Sequence, residues 1–385
     1  MVAFPWVTPE LEDVRKTAKA FYQRELVPNE ERWSEQQHVD REVWLKAGAA
    51  GLLCCSIAEE YGGGGGTFMH EALLFYEQSY AVAPGLGNGV HTGIVAHYLE
   101  NFASETQKRE YLPKMASGEM IGAIAMSEPG AGSDLQAFRT RAIRHGDHYV
   151  VDGSKTWISN GMMADLVLLV AKTDPSKGAS GMSILIVEPA KAPGFRRGRA
   201  IKKLGGHSQD TAELFFDDMH VPVENLLGPT EGQGFRQLMK ELPRERLITA
   251  MGAQGAMDRA IDETVPYTMG RKMFGDALFG FQNTRFKLAE CQTKATISRS
   301  FINACVAELA RGELDGATAA MAKWWCTQTC GEIVDECLQL HGGYGYTTEY
   351  AIGRLYQNVR VSRILAGSNE VMKELVARDL KAKYS

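Results

Sequence analysis

ADLVLLVAKT (residues 164–173) is a short run rich in Val, Leu and Ala, and three comparable runs lie near it in the sequence. These are YVVDGSKTWIS (149–159), MSILIVEP (182–189) and AELFFDDMHV (212–221). Glycine-containing turn signals separate the four runs, and no long helical pattern lies between them. The sequence therefore predicts an antiparallel barrel or sandwich for residues 123–230 rather than a Rossmann sheet.

The segments on both sides of this β domain have helical patterns. Residues 1–122 carry apolar residues at helical spacing after a helix start at Pro9. The further helices predicted there are 40–53, 68–81, 88–102 and 104–117. The helices predicted within residues 231–385 are 233–267, 283–311, 315–340, 348–363 and 368–382. We therefore predict three domains, with boundaries at 1–122, 123–230 and 231–385.

Composition is that of an ordinary globular protein, with 44% hydrophobic and 23% charged residues and a net charge of -5. This charge gives no overall attraction to nucleic acid or anionic lipid. None of the seven cysteines has zinc-site spacing, so we expect reduced thiols packed as small apolar groups and no metal site. No signal-peptide pattern and no apolar run of about 18 residues is present, so a cytoplasmic protein without a membrane span is expected.

AMSEPGAGSD (125–134) is the first motif with chemical potential. Gly130 and Gly132 let backbone N–H groups turn toward a bound group, and Ser127 and Ser133 add hydroxyls. The loop suits the oxygens and nitrogens of a flat cofactor, but it lacks the GxGxxG pattern of a nucleotide-phosphate loop. An ordinary turn is the alternative interpretation.

Three further motifs each allow two interpretations. Trp157 in KTWISNG (155–161) is either a core residue or a wall for a planar ring. Arg271 in RKMFGDALFGFQ (271–282) is either a surface residue or a clamp on a pyrophosphate. The double glycine in CLQLHGGYGY (337–346) is a natural helix C-cap that also permits close approach of a ligand, and the neighbouring His341 reads as a structural histidine rather than a catalyst.

KELPRERLITA (240–250) contains an isolated acid inside a predicted helix that Pro243 can kink. Glu245, Thr249, Gly252 and Ala256 are spaced i, i+4, i+7 and i+11, so they share one small-sided face. Such a face leaves room for a flat ligand under the acid. A carboxylate desolvated there would have a raised pKa, in the range useful for a general base. An ordinary surface charge is the alternative.

Taken together, these motifs resemble the acyl-CoA dehydrogenase flavoprotein family. AMSEPGAGSD, KTWISNG, RKMFG with FQ, QLHGGYG and ILAGSNEVMKEL occur in the family's order and spacing over essentially the whole chain, and ELPRERL is similar to the long-chain branch. The resemblance implies a mainly α fold with a central β domain: N-terminal helices, a β-barrel and a C-terminal four-helix bundle. It also implies FAD, a homotetramer arranged as a dimer of dimers, and an electron-transferring flavoprotein as electron acceptor.

The resemblance further implies which residues hold FAD, some of them from a neighbouring subunit. The implied FAD contacts are Ile124, Ala125, Met126, Ser127, Gly132, Ser133, Trp157, Ile158, Ser159, Arg271, Phe274, Gln282, Gln339, Leu340, His341, Gly342, Gly343, Ser368, Asn369 and Glu370.

One departure from the family pattern points to the catalytic base. Many relatives carry their catalytic glutamate at the position of Ala366, and alanine cannot take a proton. The long-chain and isovaleryl branches place the base on the helix matched by PRERL, where this chain has Glu245, with Arg246 expected to orient the segment. The implied substrate contacts are Ser133, Pro243, Arg244, Arg246, Ala366 and Gly367.

The implied activity is FAD-dependent α,β-dehydrogenation of medium or long straight-chain acyl-CoA to trans-2-enoyl-CoA, as in fatty acid β-oxidation. An isovaleryl-type enzyme for branched short chains is the first alternative. An acyl-CoA oxidase, a DNA-binding flavoprotein of the same fold and a helical scaffold without activity are the others, and the acidic net charge gives no support to DNA binding.

Overall fold

The computed structural model of the protein describes residues 4–385. Its N-terminal part is helical, as predicted. The helices are α1 (Pro9–Phe21), α2 (Glu30–Gln36), α3 (Arg41–Ala49), α4 (Phe68–Tyr80), α5 (Asn88–Val90), α6 (His97–Phe102) and α7 (Glu105–Ala116). Thr8 caps α1 by accepting a hydrogen bond from the Leu11 N–H, and a π-helical turn at His91–Ala96 joins α5 to α6. Helix α2 was not predicted, because its seven residues bury only Trp33 and show no helical apolar pattern.

The middle of the chain forms a seven-stranded sheet. Its strands are β1 (Gly122–Ala125), β2 (Arg141–His145), β3 (His148–Ser159), β4 (Leu166–Lys172), β5 (Met182–Val187), β6 (Phe195–Ala200) and β7 (Thr211–Pro222). Their order is β1-β4-β2-β3-β7-β6, with β5 also paired to β4. The prediction of a β domain between two helical segments is confirmed. The prediction that this domain is not a Rossmann fold is also confirmed, because no long helix connects its strands.

The expectation of a purely antiparallel sheet is wrong. Strand β1 pairs with β4 in parallel, and β2 meets β4 in parallel at Arg141 and Lys172. Strand β4 is buried along almost its whole length, so its apolar run carries no alternation that would reveal the direction of its neighbours.

A β-bulge in β3 shapes the part of the sheet that carries KTWISNG. The register between β3 and β7 shifts between Lys155 and Ile158. Trp157 inside this bulge has a φ of 62°, in the left-handed region that non-glycine residues rarely adopt. As a result Lys155 and Ile158 both point into the protein, with 1% and 2% exposure, whereas the Trp157 side chain is 62% exposed.

The C-terminal part returns to long helices around a common core. These are α8 (Gly234–Gly270), α9 (Gln282–Ala310), α10 (Gly316–His341), α11 (Ala351–Val359) and α12 (Asn369–Tyr384), with a short hairpin of β8 (Lys272–Met273) and β9 (Asp276–Ala277). Helix α8 continues through Pro243, and the predicted 348–363 helix ends early at Val359, where a 3-10 turn follows. The mainly α fold with a central β domain is confirmed.

Two glycines of α8 serve helix packing, Gly252 on the small-sided face and Gly255 beside that face. A Cβ atom on Gly255 would lie 2.3 Å from the Tyr76 carbonyl oxygen of α4, and one on Gly252 would lie 3.0 Å from Ser79 Oγ. Glycine at these positions therefore lets α4 approach the α8 backbone closely. The expectation that this face leaves room for a flat ligand is wrong at Gly252, because α4 occupies the space.

Candidate active site

A buried lysine holds the AMSEPGAGSD loop against the KTWISNG strand. Lys155 Nζ donates to the Met126 carbonyl oxygen at 2.8 Å and to Glu128 Oε1 at 3.0 Å, and the Thr156 N–H donates to the Ser127 carbonyl oxygen at 2.9 Å. Burial lowers the pKa of Lys155 to about 8, against the opposing effect of Glu128. The two motifs that the sequence marked as cofactor contacts are thus fixed side by side.

The predicted cofactor residues of this loop differ in accessibility. Ile124 and Ala125 are buried in β1, and Met126 and Ser127 are half-buried. Gly132 and Ser133 are exposed, and no atom of residues 4–385 outside the glycine and its chain neighbours lies within 4 Å of the place where a Cβ of Gly132 would stand. The open part of the loop is therefore the part that a ligand can reach through backbone groups.

Trp157 is an exposed aromatic on a strained backbone. A non-glycine residue in the left-handed region costs about 1–3 kcal/mol, and such residues cluster at functional sites. Ile158 beside it is buried and Ser159 is half-buried. Asn160 ties the end of the strand to the N-terminal helical part and to β1, since its Nδ2 donates to the carbonyl oxygens of Gly87 and Gly122 at 3.0 and 3.1 Å. The interpretation of Trp157 as a core residue is wrong, and its exposed indole is available to a planar ring.

Glu245 lies on α8 with its side chain inside the protein, and the residue is 4% exposed. Its Oε1 accepts a hydrogen bond from the Tyr98 hydroxyl of α6 at 3.0 Å. Burial raises the pKa of Glu245 to about 7, with the Tyr98 hydrogen bond opposing and the nearby Glu241 carboxylate adding to the rise. A carboxyl group of this pKa can take up and release a proton near neutral pH.

The residue before Glu245 belongs to a buried charge cluster. The Arg244 guanidinium contacts the Glu71 carboxylate of α4, and its NH2 lies 2.7 Å from His97 Nε2 of α6. Burial alone would raise the pKa of Glu71, but Arg244 and His97 lower it to about 2. The structure thus gives Arg244, a predicted substrate contact, an anchoring contact to α4 and α6 that the sequence did not indicate.

Arg246, on the other side of Glu245, contacts the start of α10. Its NH1 donates to the Gly316 carbonyl oxygen at 3.4 Å, and the residue is 7% exposed. Burial lowers the pKa of Arg246, and the Glu245 carboxylate opposes this effect. The pair of arginines therefore ties the Glu245 turn to three other helices.

A second buried lysine holds the ILAGSNE loop. Lys323 Nζ of α10 donates to the Gly367 carbonyl oxygen at 2.7 Å and to Asn369 Oδ1 at 3.1 Å. Ala366 and Gly367 have φ values of 53° and 86°. Burial lowers the pKa of Lys323 to about 8, and Arg246 is close enough to contribute to this lowering. Lys323 thus brings the loop at Ala366 near the Glu245 turn, and no sequence motif indicated it.

The rest of this loop forms the beginning of α12. Ser368 caps the helix by accepting from the Val371 N–H at 3.3 Å, and Glu370 in the first turn is exposed. Asn369 is 3% exposed, and its Nδ2 has no hydrogen-bond partner within the described residues. A buried donor without a partner is unusual in a native structure and suits a ligand acceptor.

The remaining predicted FAD contacts form a separate group at the ends of α8 and α10. Arg271, Phe274 and Gln282 are exposed, Phe274 by 91%. At the end of α10, Gln339, Gly342 and Gly343 are exposed and Leu340 is half-buried. Within residues 4–385 no hydrogen bond joins this group to the loop held by Lys155.

His341 at the end of α10 is structural, as the sequence favoured. It is buried, stacks on Tyr267 with ring centroids 4.2 Å apart, and has Nδ1 2.8 Å from the Cys337 carbonyl oxygen. Burial lowers the pKa of His341. Its side chain therefore serves to hold the end of α10 against α8.

Residues 4–385 contain neither a metal-binding cluster nor a membrane-spanning helix. No group of three or more His, Cys, Asp or Glu side chains there is arranged to hold a metal ion. No helix in the same range is long and apolar enough to cross a membrane. All seven cysteines are free and buried, as expected from their spacing.

Three family models match the chain in succession. They describe the acyl-CoA dehydrogenase N-terminal domain over residues 8–119, the middle domain over 123–219 and the C-terminal domain over 232–381. The long-chain specific acyl-CoA dehydrogenase, mitochondrial, of Mus musculus is 43% identical over 95% of this chain and 85% of its own length. The isovaleryl-CoA dehydrogenase, mitochondrial, of Oryza sativa subsp. japonica is 34% identical over 96% of this chain and 90% of its own.

Solved structures match over the same extent. An acyl-CoA dehydrogenase from Geobacillus kaustophilus aligns with a TM-score of 0.95 and 41% identity, covering 98% of this chain and 99% of that one. A glutaryl-CoA dehydrogenase from Mycobacterium smegmatis in complex with FADH2 aligns with a TM-score of 0.91 and 26% identity, covering 98% and 96%. Both matches run through the helical, β and helical segments.

Proposed function

Because the chain belongs to the acyl-CoA dehydrogenase family, and is thereby a flavin-dependent oxidoreductase, we propose that it oxidises acyl-CoA thioesters to trans-2-enoyl-CoA with FAD as its cofactor. We propose Glu245 as the general base. The observation that carries this assignment is the buried Glu245 carboxyl with a pKa of about 7, on a chain that has alanine at position 366.

The residues of this chain would act on the α-proton. A thioester α-C–H is a weak acid, and Glu245 removes its proton into a carboxylate that burial has made more basic. Lys323 holds the loop at Ala366 through the Gly367 carbonyl oxygen, and Arg246 is close enough to lower the pKa of Lys323. Positive charge on this side of Glu245 would lower the energy of the negative charge that develops on the thioester. When bound, the flavin supplies the redox chemistry by accepting the β-hydrogen as hydride.

The residues present fit a flavin. The exposed Trp157 indole offers an apolar face for an isoalloxazine ring, and the loop held by Lys155 presents open backbone at Gly132. The Nδ2 of Asn369, which has no partner among residues 4–385, offers a hydrogen-bond donor. Arg271 and Gln282 are exposed and free to face a pyrophosphate and an adenosine, as the family resemblance implies.

A single substitution tests the assignment of the base. In Glu245→Gln we expect a folded, yellow protein that binds acyl-CoA but whose flavin is bleached about 10³-fold more slowly under anaerobic conditions, since proton transfer is lost. The measurement is stopped-flow absorbance of the flavin. Glu188→Gln, on the β domain far along the chain from α8, is the matched control and retains the wild-type rate. Rapid bleaching in Glu245→Gln would remove this residue from the role.

The substrate is proposed to be a medium or long straight-chain acyl group, supported by 43% identity to the long-chain relative. A branched short chain is the second candidate, because an isovaleryl relative is 34% identical. Anaerobic flavin reduction by a panel of acyl-CoA thioesters from C4 to C18, branched ones included, decides between them. A straight-chain optimum above C8 supports the first candidate, and a maximum at isovaleryl-CoA supports the second.

The remaining parts of the proposal concern partners. An electron-transferring flavoprotein is proposed as the acceptor, and oxygen uptake without an added acceptor would instead indicate an oxidase.

We also propose a homotetramer, a dimer of dimers, in which Gln339–Gly343 of one subunit complete the FAD site of another. The exposure of Gly342 and Gly343 supports this arrangement. The seven free cysteines support a reducing compartment such as the cytoplasm.

A further inference from the structure

Helices α6 and α8 face each other through two matched hydrogen bonds. Tyr98 of α6 donates to Glu245 at 3.0 Å, and one turn further along Asn101 Nδ2 donates to Glu241 Oε1 at 2.9 Å. Glu241 and Glu245 are spaced i, i+4, so they are neighbours on the α8 surface, with Cβ atoms about 6 Å apart. A second carboxyl group therefore stands one helical turn from the proposed base.

Both residues are buried, Glu241 with 5% and Glu245 with 4% exposure, and they differ in their neighbours along the chain. Glu245 is flanked by Arg244 and Arg246, which are anchored to other helices, and its hydrogen-bond donor Tyr98 is fully buried. Glu241 directly follows Met239 and Lys240, which are both exposed, and Lys240 Nζ lies 5.1 Å over the ring of Phe102. The residues directly before Glu241 thus reach solvent, whereas those on both sides of Glu245 are not exposed.

The proposed reaction leaves a proton on Glu245 in every turnover, and this proton must return to bulk water before the next one. A carboxyl group with 4% exposure and no exposed residue next to it in the chain exchanges poorly with water on its own. Glu241 offers a nearby acceptor whose own surroundings allow it to be charged or neutral. Burial raises the pKa of Glu241, whereas His97, Asn101, Lys240 and Arg244 favour its charged form.

We propose that Glu241 is a positioning residue for proton release, which takes the abstracted proton from Glu245 and passes it to solvent. This inference rests on the proposed role of Glu245. The O–H bond on Glu245 breaks as a new one forms on Glu241, directly or through one bridging water, and Glu245 returns to its carboxylate form. The proton then leaves Glu241 for bulk water, and no electrons are transferred in either step.

The competing explanation is that Glu241 only tethers α8 to α6 through Asn101. Two variants of the flavin-loaded enzyme separate the explanations. Glu241→Gln keeps an oxygen that accepts from Asn101 but cannot carry the proton. Asn101→Ala removes the tether and keeps the carboxylate.

The experiment uses an acyl-CoA analogue with sulfur in place of the β-carbon, which can lose its α-proton and cannot donate hydride. Enolate formation is followed by the long-wavelength absorbance that it produces beside oxidised flavin. Exchange of the α-hydrogen with solvent is followed in D₂O by mass spectrometry. In Glu241→Gln we expect enolate formation within about 3-fold of wild type but α-exchange slowed at least about 10-fold, whereas Asn101→Ala keeps both near wild type.

Three outcomes would overturn the proposal: wild-type exchange in Glu241→Gln, an equal loss of both signals, or slowed exchange in Asn101→Ala alone. If Glu241→Gln does not fold, Glu241→Leu replaces it, because it also lacks a carboxyl group and is expected to slow exchange at least about 10-fold. Wild-type exchange in Glu241→Leu would contradict the proposal. Absence of any α-proton removal in the wild-type enzyme would instead contradict the proposed function itself.

Discussion

Glu71 and Glu245 are two buried carboxyl groups on helices that pack against α6, and their surroundings make them opposites. Glu71 contacts the guanidinium of Arg244 and has His97 Nε2 3.0 Å from its Oε1. Glu245 accepts one hydrogen bond, from the neutral hydroxyl of Tyr98. The pKa is lowered to about 2 for Glu71 and raised to about 7 for Glu245. Burial is common to both, so the partner determines whether a buried acid is fixed as an anion or free to exchange a proton.

The two groups are also joined through adjacent residues of α8. Arg244 neutralises Glu71 and thereby attaches its turn of α8 to α4, while the next residue is the proposed base. The ion pair between Arg244 and Glu71 holds the backbone of α8 in place. Glu245, which has little compensating positive charge, is the next residue on that backbone. Glu71 therefore provides the strong ion pair, and Glu245 provides the carboxyl group that can exchange a proton, at one place in the fold.

The largest expected effect is on stability, in Glu71→Gln. Removing one partner of a buried ion pair costs about 3–5 kcal/mol, because Arg244 is left as an uncompensated buried charge. We expect the free energy of unfolding of Glu71→Gln to fall by that amount in urea denaturation. Glu245→Gln is the contrasting variant and should change stability by less than about 1 kcal/mol near neutral pH, or increase it. Equal losses in the two variants would show that the ion pair does not distinguish the sites.

A somewhat smaller effect is expected in the pH dependence of stability. Glu245 binds more protons folded than unfolded between pH 4.5 and about 7, so it makes the free energy of unfolding fall as the pH rises through this range. At about 1.4 kcal/mol per pH unit, this contribution is about 3 kcal/mol. Glu71 acts in the opposite direction, since its stabilisation is present above pH 4.5 and is lost as the pH falls toward 2.

Glu245→Gln checks this prediction directly. Chemical denaturation of wild type and variant at several values between pH 5 and 8 should show a growing advantage of the variant as the pH rises. A constant difference across this range would mean that Glu245 titrates at its ordinary pKa.

The smallest expected effect is that of Tyr98→Phe on the pH profile of flavin reduction. Loss of the hydroxyl removes a hydrogen bond that favours the Glu245 carboxylate, so its pKa rises further. The acidic limb of the profile should move upward by about one pH unit. Tyr111→Phe, which loses a hydrogen bond to Glu188, is the control and should leave the profile in place. An unshifted limb in Tyr98→Phe would show that this hydroxyl does not tune the base.

Local pattern was enough to predict much of this arrangement. The helix and strand runs predicted the three-part fold, and the i, i+4 spacing around Glu245 together with Ala366 led to a buried acid on α8. The burial of Lys155, by contrast, could not be predicted. Nothing in the motif KTWISNG shows that the amine of Lys155 turns inward to the Met126 carbonyl oxygen. A long polar side chain is normally exposed, and the bulge, the Glu128 carboxylate and the Met126 carbonyl oxygen together make its burial favourable.

Contacts between distant segments could not be predicted. Tyr98 lies 147 residues before Glu245 and Lys323 lies 44 residues before Gly367, and neither belongs to a recognisable pattern. The interpretation of the small-sided face of α8 was wrong at Gly252. A glycine allows either a ligand or a neighbouring helix to come close to the backbone, and the sequence does not show that α4 lies there. The direction of β1 against β4 is likewise a property of the assembled sheet.

The bulge at Trp157 has a consequence for how this segment tolerates change. In a regular strand, residues three positions apart face opposite sides, yet Lys155 and Ile158 both face inward. Deleting one residue between them would place Lys155 and Ile158 two positions apart, so a regular strand would keep both side chains inward. The extra residue of the bulge is therefore what turns the Trp157 indole outward between two inward-facing residues, and a shortened motif would keep the strand pairing but lose this exposed aromatic side chain.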